Sequence, residues 1–201
     1  EEYKKLPNVE KYQIALDRYC KRKKTSWEIG IEFERFIGYS YEQKGYDVDY
    51  NGALTGLNDM GRDIIAHNSK ETLVIQCKRW HHNKTIHEKH IFQLYGSVVL
   101  MKTENEDDNI RGIFVTTTKL SETAYRCAEY LHIDVLEDQS FETYPMIKCN
   151  IASNGEKIYH LPMDQQYDRV KLHKKGELYA ETVIEAENAG FRRALHWSGN
   201  K

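Results

Sequence analysis

Residues 72–80, TLVIQCKRW, end an apolar run with polar side chains that could do chemistry. The run is typical of a buried β-strand, and side chains alternate between the two faces of a strand. Gln76 and Lys78 are therefore expected on one face and Cys77 on the other. An amide and an ammonium that share a face at a strand end either lie in solvent or line a site that holds a polar, charged group.

A second segment, RDIIAH (62–67), brings a carboxylate to the same place. A turn with the sequence NSKE separates it from residues 72–78, so the two segments are predicted to pair as an antiparallel hairpin. Asp63 then lies beside Gln76 and Lys78. This combination suits phosphodiester cleavage with Mg²⁺, because Mg²⁺ prefers oxygen ligands and a lysine can orient or help to deprotonate the attacking water.

The surrounding pattern predicts alternating helices and strands. TSWE (25–28) is a capping box that begins a helix ending near Gln43. Further helices are predicted over 9–22, 87–102, 121–130 and 180–190, further strands over 46–50, 112–118 and 133–137, and a loop rich in Gly and Asn over 51–61. This order describes an α/β protein whose mixed β-sheet is covered by helices on both faces.

An ordered set of short motifs resembles a known family. Over residues 26–137 the chain carries, in order, GIEFE (30–34), DMGRD (59–63), QCK (76–78), Gly96 and TTT (116–118). This set is similar to the Mrr-like branch of the PD-(D/E)XK restriction endonuclease superfamily. The resemblance implies a restriction-endonuclease-like mixed sheet flanked by helices, and a metal-dependent activity on DNA.

The resemblance also implies a role for each matching residue. Asp63 and the side-chain oxygen of Gln76 would be ligands of Mg²⁺, for which Mn²⁺ is expected to substitute. Glu34 would reach the metal directly or through water, and Lys78 would be the catalytic lysine. Because Gln76 stands where other branches have Glu or Asp, metal binding should depend more on Asp63 and Glu34.

Each of these residues also has a structural interpretation when it is taken alone. An aspartate such as Asp63 commonly caps a turn or a strand. Gln76 alone would be a surface amide, and Lys78 alone a lysine at a sheet edge. Glu32 is as plausible as Glu34 by composition, and only the place of Glu34 in the motif favours it. The ordered set favours the functional interpretation.

Other polar residues nearby have weaker claims. Asp59 is expected to hold its loop through hydrogen bonds from side chain to backbone. The histidines His81, His82, His87 and His90 suggest zinc, but their spacing fits no zinc signature and no nearby cysteine completes a set of four ligands. Phosphate contact or simple solvation is the better-supported expectation for these histidines.

Charge is unevenly distributed along the chain although its net value is −2. Residues 78–90, KRWHHNKTIHEKH, form a basic stretch, whereas ENEDD (104–108) is acidic. A local basic patch attracts phosphate even in a nearly neutral chain. Arg79, Lys84 and Lys89 are therefore predicted to contact the DNA backbone, and a solvated basic loop is the alternative.

The length of the chain and a change in its residue pattern predict one main domain and a small additional module. A chain of 201 residues is long enough for a good core plus a further module. The sequence changes to short polar segments near residue 147. We therefore predict an N-terminal helical segment (1–25), a main domain (26–147) and a small C-terminal α+β module (148–201).

The C-terminal module is similar to the SUNSET domain. The resemblance lies in KIYHLP (157–162), Tyr167, a helix over 185–189 and GFRRA (190–194). Its aromatic and basic side chains could read nucleic acid by stacking and phosphate contact. We favour the alternative that they form the core and rim of a small fold.

The cysteines and the first residue bear on the cellular setting. Cys20, Cys77, Cys127 and Cys149 are far apart and form no CxxC pair, which argues against a disulfide framework. A cytoplasmic location is expected. The sequence starts at Glu1 and not at a methionine, so any sensor or membrane segment upstream of Glu1 would lie outside this sequence.

These expectations combine into a metal-dependent endodeoxyribonuclease that serves restriction or anti-phage defence. Cutting both strands of a duplex needs two sites, so a homodimer, or a dimer formed on DNA, is expected. One alternative is a nickase or repair nuclease with the same site. The other is a non-catalytic DNA-binding module.

Overall fold

The computed structural model describes residues 6–55, 61–81, 83–106 and 109–194. The chain forms two compact units. Residues 24–142 make up the central unit, and residues 1–23 together with 143–201 make up the terminal unit.

Short helices and strands alternate along the chain. The helices are α1 (Asn8–Lys21), α2 (Ser26–Glu42), α3 (Asn51–Thr55), α4 (Glu88–Asn105), α5 (Glu122–Tyr130) and α6 (Val183–Asn188). The strands are β1 (Asp47–Asp49), β2 (Ile64–His67), β3 (Thr72–Lys78), β4 (Thr85–Ile86), β5 (Ile110–Thr116), β6 (Lys119–Leu120), β7 (Ile133–Leu136), β8 (Ile147–Ile151), β9 (Lys157–His160), β10 (Leu178–Ala180) and β11 (Arg192–Arg193). None of the helices in the described ranges is long and apolar enough to cross a membrane.

A five-stranded mixed sheet forms the middle of the central unit, with the strand order β1-β2-β3-β5-β7. β2 is antiparallel to both β1 and β3, whereas β3, β5 and β7 run parallel to one another. β4 and β6 pair in parallel as a separate ribbon. The predicted hairpin of β2 and β3 is confirmed, and Ile64 lies opposite Ile75 in it.

Local hydrogen bonds explain where the helices α2 and α5 begin. Glu28 N donates to Thr25 Oγ1, and the Glu28 carboxylate accepts from Thr25 N at 2.8 Å, so the predicted capping box at the start of α2 is confirmed. Ser121 Oγ caps α5 by accepting from Ala124 N. These caps satisfy N–H groups that a helix start leaves without intrahelical partners.

Alternate residues of β3 pack into two apolar layers. Leu73, Ile75 and Cys77 belong to a buried cluster that includes Phe33 and other residues of α2. Val74 belongs to a second cluster, formed with residues of α4 and α5. The prediction of a mixed sheet flanked by helices on both faces is therefore confirmed.

The segment before β2 differs from its prediction. Residues 51–61 were expected to form a loop, but Asn51–Thr55 form the short helix α3. Gly52 N donates to Asp63 O at 2.9 Å, which ties this helix to the start of β2. A single helical turn is too short to produce a recognisable apolar period. Asp59 lies outside the described residues.

The terminal unit is a four-stranded sheet, with the strand order β10-β8-β9-β11, packed with α1 and α6. Leu16 of α1 lies in one buried cluster with Ile147, Tyr159 and Val183. Gln13 Oε1 also accepts from Val183 N at 2.8 Å, at the start of α6. The structure thus groups α1 with the C-terminal residues, whereas the sequence indicated a separate segment over 1–25. An apolar helix face needs a partner, and the partner here is distant along the chain.

The aromatic side chains of the terminal unit are mostly structural. Tyr159 and Tyr167 are almost fully buried, so their rings are not available for stacking on bases. Arg193 forms a bidentate ion pair with Asp164, and Arg192 pairs with Glu156 at 2.8 Å. These residues form the core and rim of the terminal unit.

We expect Leu16→Ala to destabilise the terminal unit by about 2–5 kcal/mol, because it leaves a cavity in that core. Amide hydrogen exchange should then be faster in β8 and β9 and unchanged in β3 and β5. Ile184→Ala, at a side chain that is 55% exposed, is the matched control and should leave both sets of strands unchanged. Equal exchange in wild type and Leu16→Ala would contradict the packing of α1 in this unit.

Candidate metal and phosphodiester site

Asp63 is fixed at the end of β3 by a backbone hydrogen bond. The β2–β3 ladder pairs Ile64 with Ile75, and Asp63 directly precedes Ile64. Cys77 N donates to Asp63 Oδ2 at 2.6 Å, and Asp63 is buried. The carboxylate therefore lies against the backbone between Gln76 and Lys78, as the predicted hairpin required.

Gln76 is fully buried at the same strand end. Its Nε2 donates to Gln93 Oε1, on α4, at 3.4 Å. Within the described part of the chain, its Oε1 is buried and receives no hydrogen bond. A buried acceptor without a donor is costly, and it is also the arrangement that a bound cation would satisfy.

Glu34 approaches from the opposite layer, on α2. A Cβ atom added to Gly52 would overlap the Glu34 carboxylate, with Cδ at 3.0 Å, and would lie 3.4 Å from Asp63 Cα. Glu34 and Asp63 thus meet on either side of Gly52, which has the small size that this contact needs. Glu32 instead pairs with Lys24 at 3.2 Å, so the geometry favours Glu34 over Glu32.

The pKa of the Cys77 thiol is shifted by the charged side chains around it. Burial raises the pKa of Cys77 well above its ordinary value, and the charges of Asp63 and Glu34 raise it further, while Lys78 opposes them. All three charged side chains therefore act on one buried atom. The raised pKa keeps the thiol protonated at neutral pH, so Cys77 adds no charge to the site.

The backbone after β3 is held by consecutive threonines. Thr116 Oγ1 donates to Lys78 O at 2.9 Å. Thr117 Oγ1 donates to Trp80 O at 2.7 Å and accepts from Trp80 N at 3.0 Å. These bonds fix the backbone that carries Lys78, although the sequence assigned the threonines no role beyond the resemblance.

The histidines within the described ranges are not grouped as metal ligands. In the described ranges there is no group of three or more His, Cys, Asp or Glu side chains placed to hold a metal ion, and His82 lies outside those ranges. His90 stacks edge-on against Trp80, with ring centroids 5.3 Å apart. Burial lowers the pKa of His90, and the nearby charge of Lys78 lowers it further. His90 is therefore mainly neutral at pH 7.

The donor set at the strand end fits Mg²⁺. Glu34, Asp63 and Gln76 supply carboxylate and amide oxygens, which are the ligands that Mg²⁺ takes. The buried Gln76 Oε1, which accepts no hydrogen bond from the described residues, is the observation that this fit depends on. Lys78 ends the same strand, and its charge acts on the Cys77 thiol together with those of Asp63 and Glu34.

Arg79, Lys84 and Lys89 are exposed. Arg79 and Lys84 lie between β3 and β4, and Lys89 lies in the first turn of α4. Lys84 Nζ lies 5.6 Å from the ring centroid of Trp80. All three of these side chains are exposed to solvent and not buried in the core.

Two contacts of the site were not foreseen in the sequence. Gly52 belongs to a segment rich in Gly and Asn, and this composition could have suggested a close approach of the backbone to a functional group. Gln93 gave no signal, because a single amide on a helix cannot be distinguished by pattern from a solvated residue.

We expect Gly52→Ala to weaken Mn²⁺ binding about tenfold or more, because the new methyl group displaces the Glu34 carboxylate. Electron paramagnetic resonance of free Mn²⁺ measures this affinity. Gly30→Ala on α2, where a Cβ meets open space, is the matched control and should leave the affinity unchanged. Equal Mn²⁺ affinity in wild type and Gly52→Ala would contradict the placement of Glu34 at the site.

Comparison with solved structures finds several endonucleases. EndoMS, in an EndoMS–dsDNA complex, has 17% identity and a TM-score of 0.44, over 61% of this chain and 49% of that one. A repair endonuclease from Pyrococcus abyssi has 18% identity and a TM-score of 0.41, over 58% of this chain and 48% of that one. MspJI restriction endonuclease, in complex with a 27-mer oligonucleotide, has 12% identity and a TM-score of 0.39, over 67% of this chain and 32% of that one.

This chain thus spans half or less of the length of these three structures. No curated protein matches it in sequence. A family match is more extensive, since residues 26–142 match Mrr_cat, whose description is restriction endonuclease. Because that match covers more than half of the 201 residues, the chain belongs to the Mrr_cat restriction endonuclease family.

Proposed function

We propose that this protein is a metal-dependent endodeoxyribonuclease that hydrolyses phosphodiester bonds in DNA. One observation carries the proposal: the buried Gln76 Oε1, without a hydrogen bond from the described residues, lies at the strand end where Asp63 is also fixed. Membership of the Mrr_cat family supports the same activity.

Asp63, Glu34 and Gln76 would hold Mg²⁺, and Mn²⁺ is expected to substitute. When bound, the ion would polarise the scissile phosphate and lower the pKa of an attacking water. The protein supplies preorganisation, because Cys77 N–H fixes Asp63 and the Gly52 backbone leaves room for Glu34. The neutral amide of Gln76 puts most of the attraction for the cation on these two carboxylates.

Lys78 is the proposed catalytic lysine. Its ammonium would donate to the attacking water or to a phosphate oxygen, and so stabilise the charge that develops during cleavage. The bonds from Thr116 and Thr117 around Lys78 and Trp80 hold its backbone, which limits how far the ammonium can stray from the phosphate. His90 adds no competing positive charge, because its lowered pKa keeps it neutral.

DNA is the proposed partner, held through Arg79, Lys84 and Lys89. These exposed cations would contact phosphates and position the duplex without reading its sequence. A homodimer, or a pair of chains that forms on DNA, is proposed because two strands need two sites.

The biological setting is also part of the proposal. Restriction or anti-phage defence fits the family description, and a cytoplasmic location stays a prediction from the spacing of the cysteines. The similarity of residues 148–201 to the SUNSET domain stays a prediction from its motifs.

We expect wild-type protein to cleave plasmid DNA with Mg²⁺ or Mn²⁺ and to be inactive in EDTA. Asp63→Asn and Lys78→Met should each reduce the cleavage rate by about 10²-fold or more. The first removes a carboxylate that would hold the metal, and the second removes the ammonium that would stabilise the developing negative charge. Lys70→Met, in the exposed turn at the other end of β3, is the matched control and should cleave at the wild-type rate. Both methylated and unmethylated plasmids should be used.

The products and the binding data separate the alternatives. Linear DNA supports an endonuclease that cuts both strands, whereas accumulation of open circles supports a nickase or repair nuclease. If wild type and Lys78→Met bind DNA equally well and neither cleaves it with any metal, the nuclease proposal fails and a non-catalytic DNA-binding module takes its place.

We expect Arg79→Gln, Lys84→Gln and Lys89→Gln each to weaken DNA binding and to reduce its salt dependence. Each lost phosphate contact should lower the slope of log K against log salt by about 0.9 for duplex DNA. Fluorescence anisotropy in EDTA measures this while the DNA stays intact. Lys70→Gln should leave the slope unchanged, and a wild-type slope in all three variants would place the DNA on another surface.

A further inference from the structure

An amide in a metal site has a problem of orientation that a carboxylate does not have. The two oxygens of a carboxylate are equivalent, whereas a glutamine offers an oxygen acceptor on one side and an NH₂ donor on the other. A half-turn of the Gln76 amide would present N–H groups to the cation in place of Oε1. Something in the protein must therefore set the direction of this amide, if Gln76 binds metal as proposed above.

Gln93 makes the contact that distinguishes the two ends of the Gln76 amide. Gln76 Nε2 donates to Gln93 Oε1 at 3.4 Å, a distance longer than the usual range for such bonds. Gln76 Oε1 is left without a hydrogen bond from the described residues. The donor end of Gln76 thus has a partner on α4, and the acceptor end is left for a cation.

Gly61 closes the space behind this amide pair. A Cβ atom at position 61 would lie 2.6 Å from Gln76 Nε2 and 3.1 Å from Gln93 Cδ. Gly61 also has a φ of +78°, in the left-handed region that favours glycine. The two amides therefore pack closely against bare backbone at Gly61.

The backbone of Gln93 is held firmly although its side chain is exposed. Ile91 and Leu94, on either side of it in α4, are fully buried in the core. Ser97 Oγ donates to Gln93 O at 3.2 Å. The helix therefore presents Oε1 of Gln93 from a fixed base, as a positioning residue requires.

We propose that Gln93 is a positioning residue whose Oε1 accepts a hydrogen bond from Gln76 Nε2 and keeps Gln76 Oε1 turned toward the metal site. This role rests on the proposed metal-dependent function. It is an indirect role, because Gln93 acts through Gln76 and holds no metal itself. Partners of this kind commonly affect metal affinity as strongly as 10–100-fold.

Substitutions of similar size at Gln93 test this role without DNA. Gln93→Met keeps the length of the side chain but removes the acceptor, so Mn²⁺ affinity should fall by about 10-fold or more. Gln93→Glu keeps an acceptor and should bind Mn²⁺ at least as tightly as wild type. Gln43→Met, at the exposed end of α2, is the matched control and should behave as wild type. Thermal unfolding should show that all variants are folded.

The same substitution at Gln93, made in a Gln76→Glu variant, distinguishes a positioning role of Gln93 from a general structural effect. In Gln76→Glu the group that binds metal has no donor end, so adding Gln93→Met should change Mn²⁺ affinity less than about twofold. A merely structural role for Gln93 would give the same loss in both backgrounds, and that result would overturn the proposal.

The failure of this inference differs from the failure of the proposed function. If wild type binds Mn²⁺ and Gln93→Met binds it equally tightly, the role of Gln93 is wrong and the metal site stands. If wild type binds no Mn²⁺, with or without cleaved DNA present, the metal site is wrong and the role of Gln93 is overturned with it.

Discussion

The hydrogen bond from Cys77 N to Asp63 Oδ2 is the contact on which the candidate site depends. The β2–β3 ladder extends to Ile64 and Ile75, and beyond this pair β3 continues toward Lys78. A buried backbone N–H needs an acceptor, and the Asp63 carboxylate supplies it where the ladder stops. The same bond that satisfies the strand therefore fixes an acidic group beside the last residues of β3. Strand geometry and site geometry share one interaction.

The position of the site at a strand end follows from the two layers of the central unit. Within β3, Ile75 and Cys77 face the layer of α2, while Val74 faces the layer of α4 and α5. Side chains from the two layers are separated by the sheet along most of its length. They can meet only where a strand ends, and there Glu34 of α2 comes close to Asp63 while Gln76 contacts Gln93 of α4. A site built from side chains of both layers must therefore lie at the end of a strand.

The sequence predicted the parts of the structure that depend on local pattern. The capping box of α2, the hairpin of β2 and β3, and the convergence of Asp63 with the end of β3 all follow from spacing and turn residues. Packing between distant segments could not be predicted, because the partner of α1 lies more than a hundred residues away, at Ile147 and Val183. The strands β4 and β6 have two residues each, too few for any period. The roles of Glu34, Asp63, Gln76 and Lys78 in metal binding and catalysis stay predictions.

The amide at position 76 has consequences for the protein without a cation. Gln76 is fully buried, and a carboxylate in its place would put a third negative charge near those of Asp63 and Glu34. Burying an uncompensated charge costs more than burying an amide with a single missing hydrogen bond. A glutamine at position 76 therefore costs less to bury than a carboxylate would, but its amide lacks the two equivalent oxygens of a carboxylate. The contact with Gln93 gives that amide a defined direction. A glutamine at position 76 therefore depends on the position of α4, which carries Gln93.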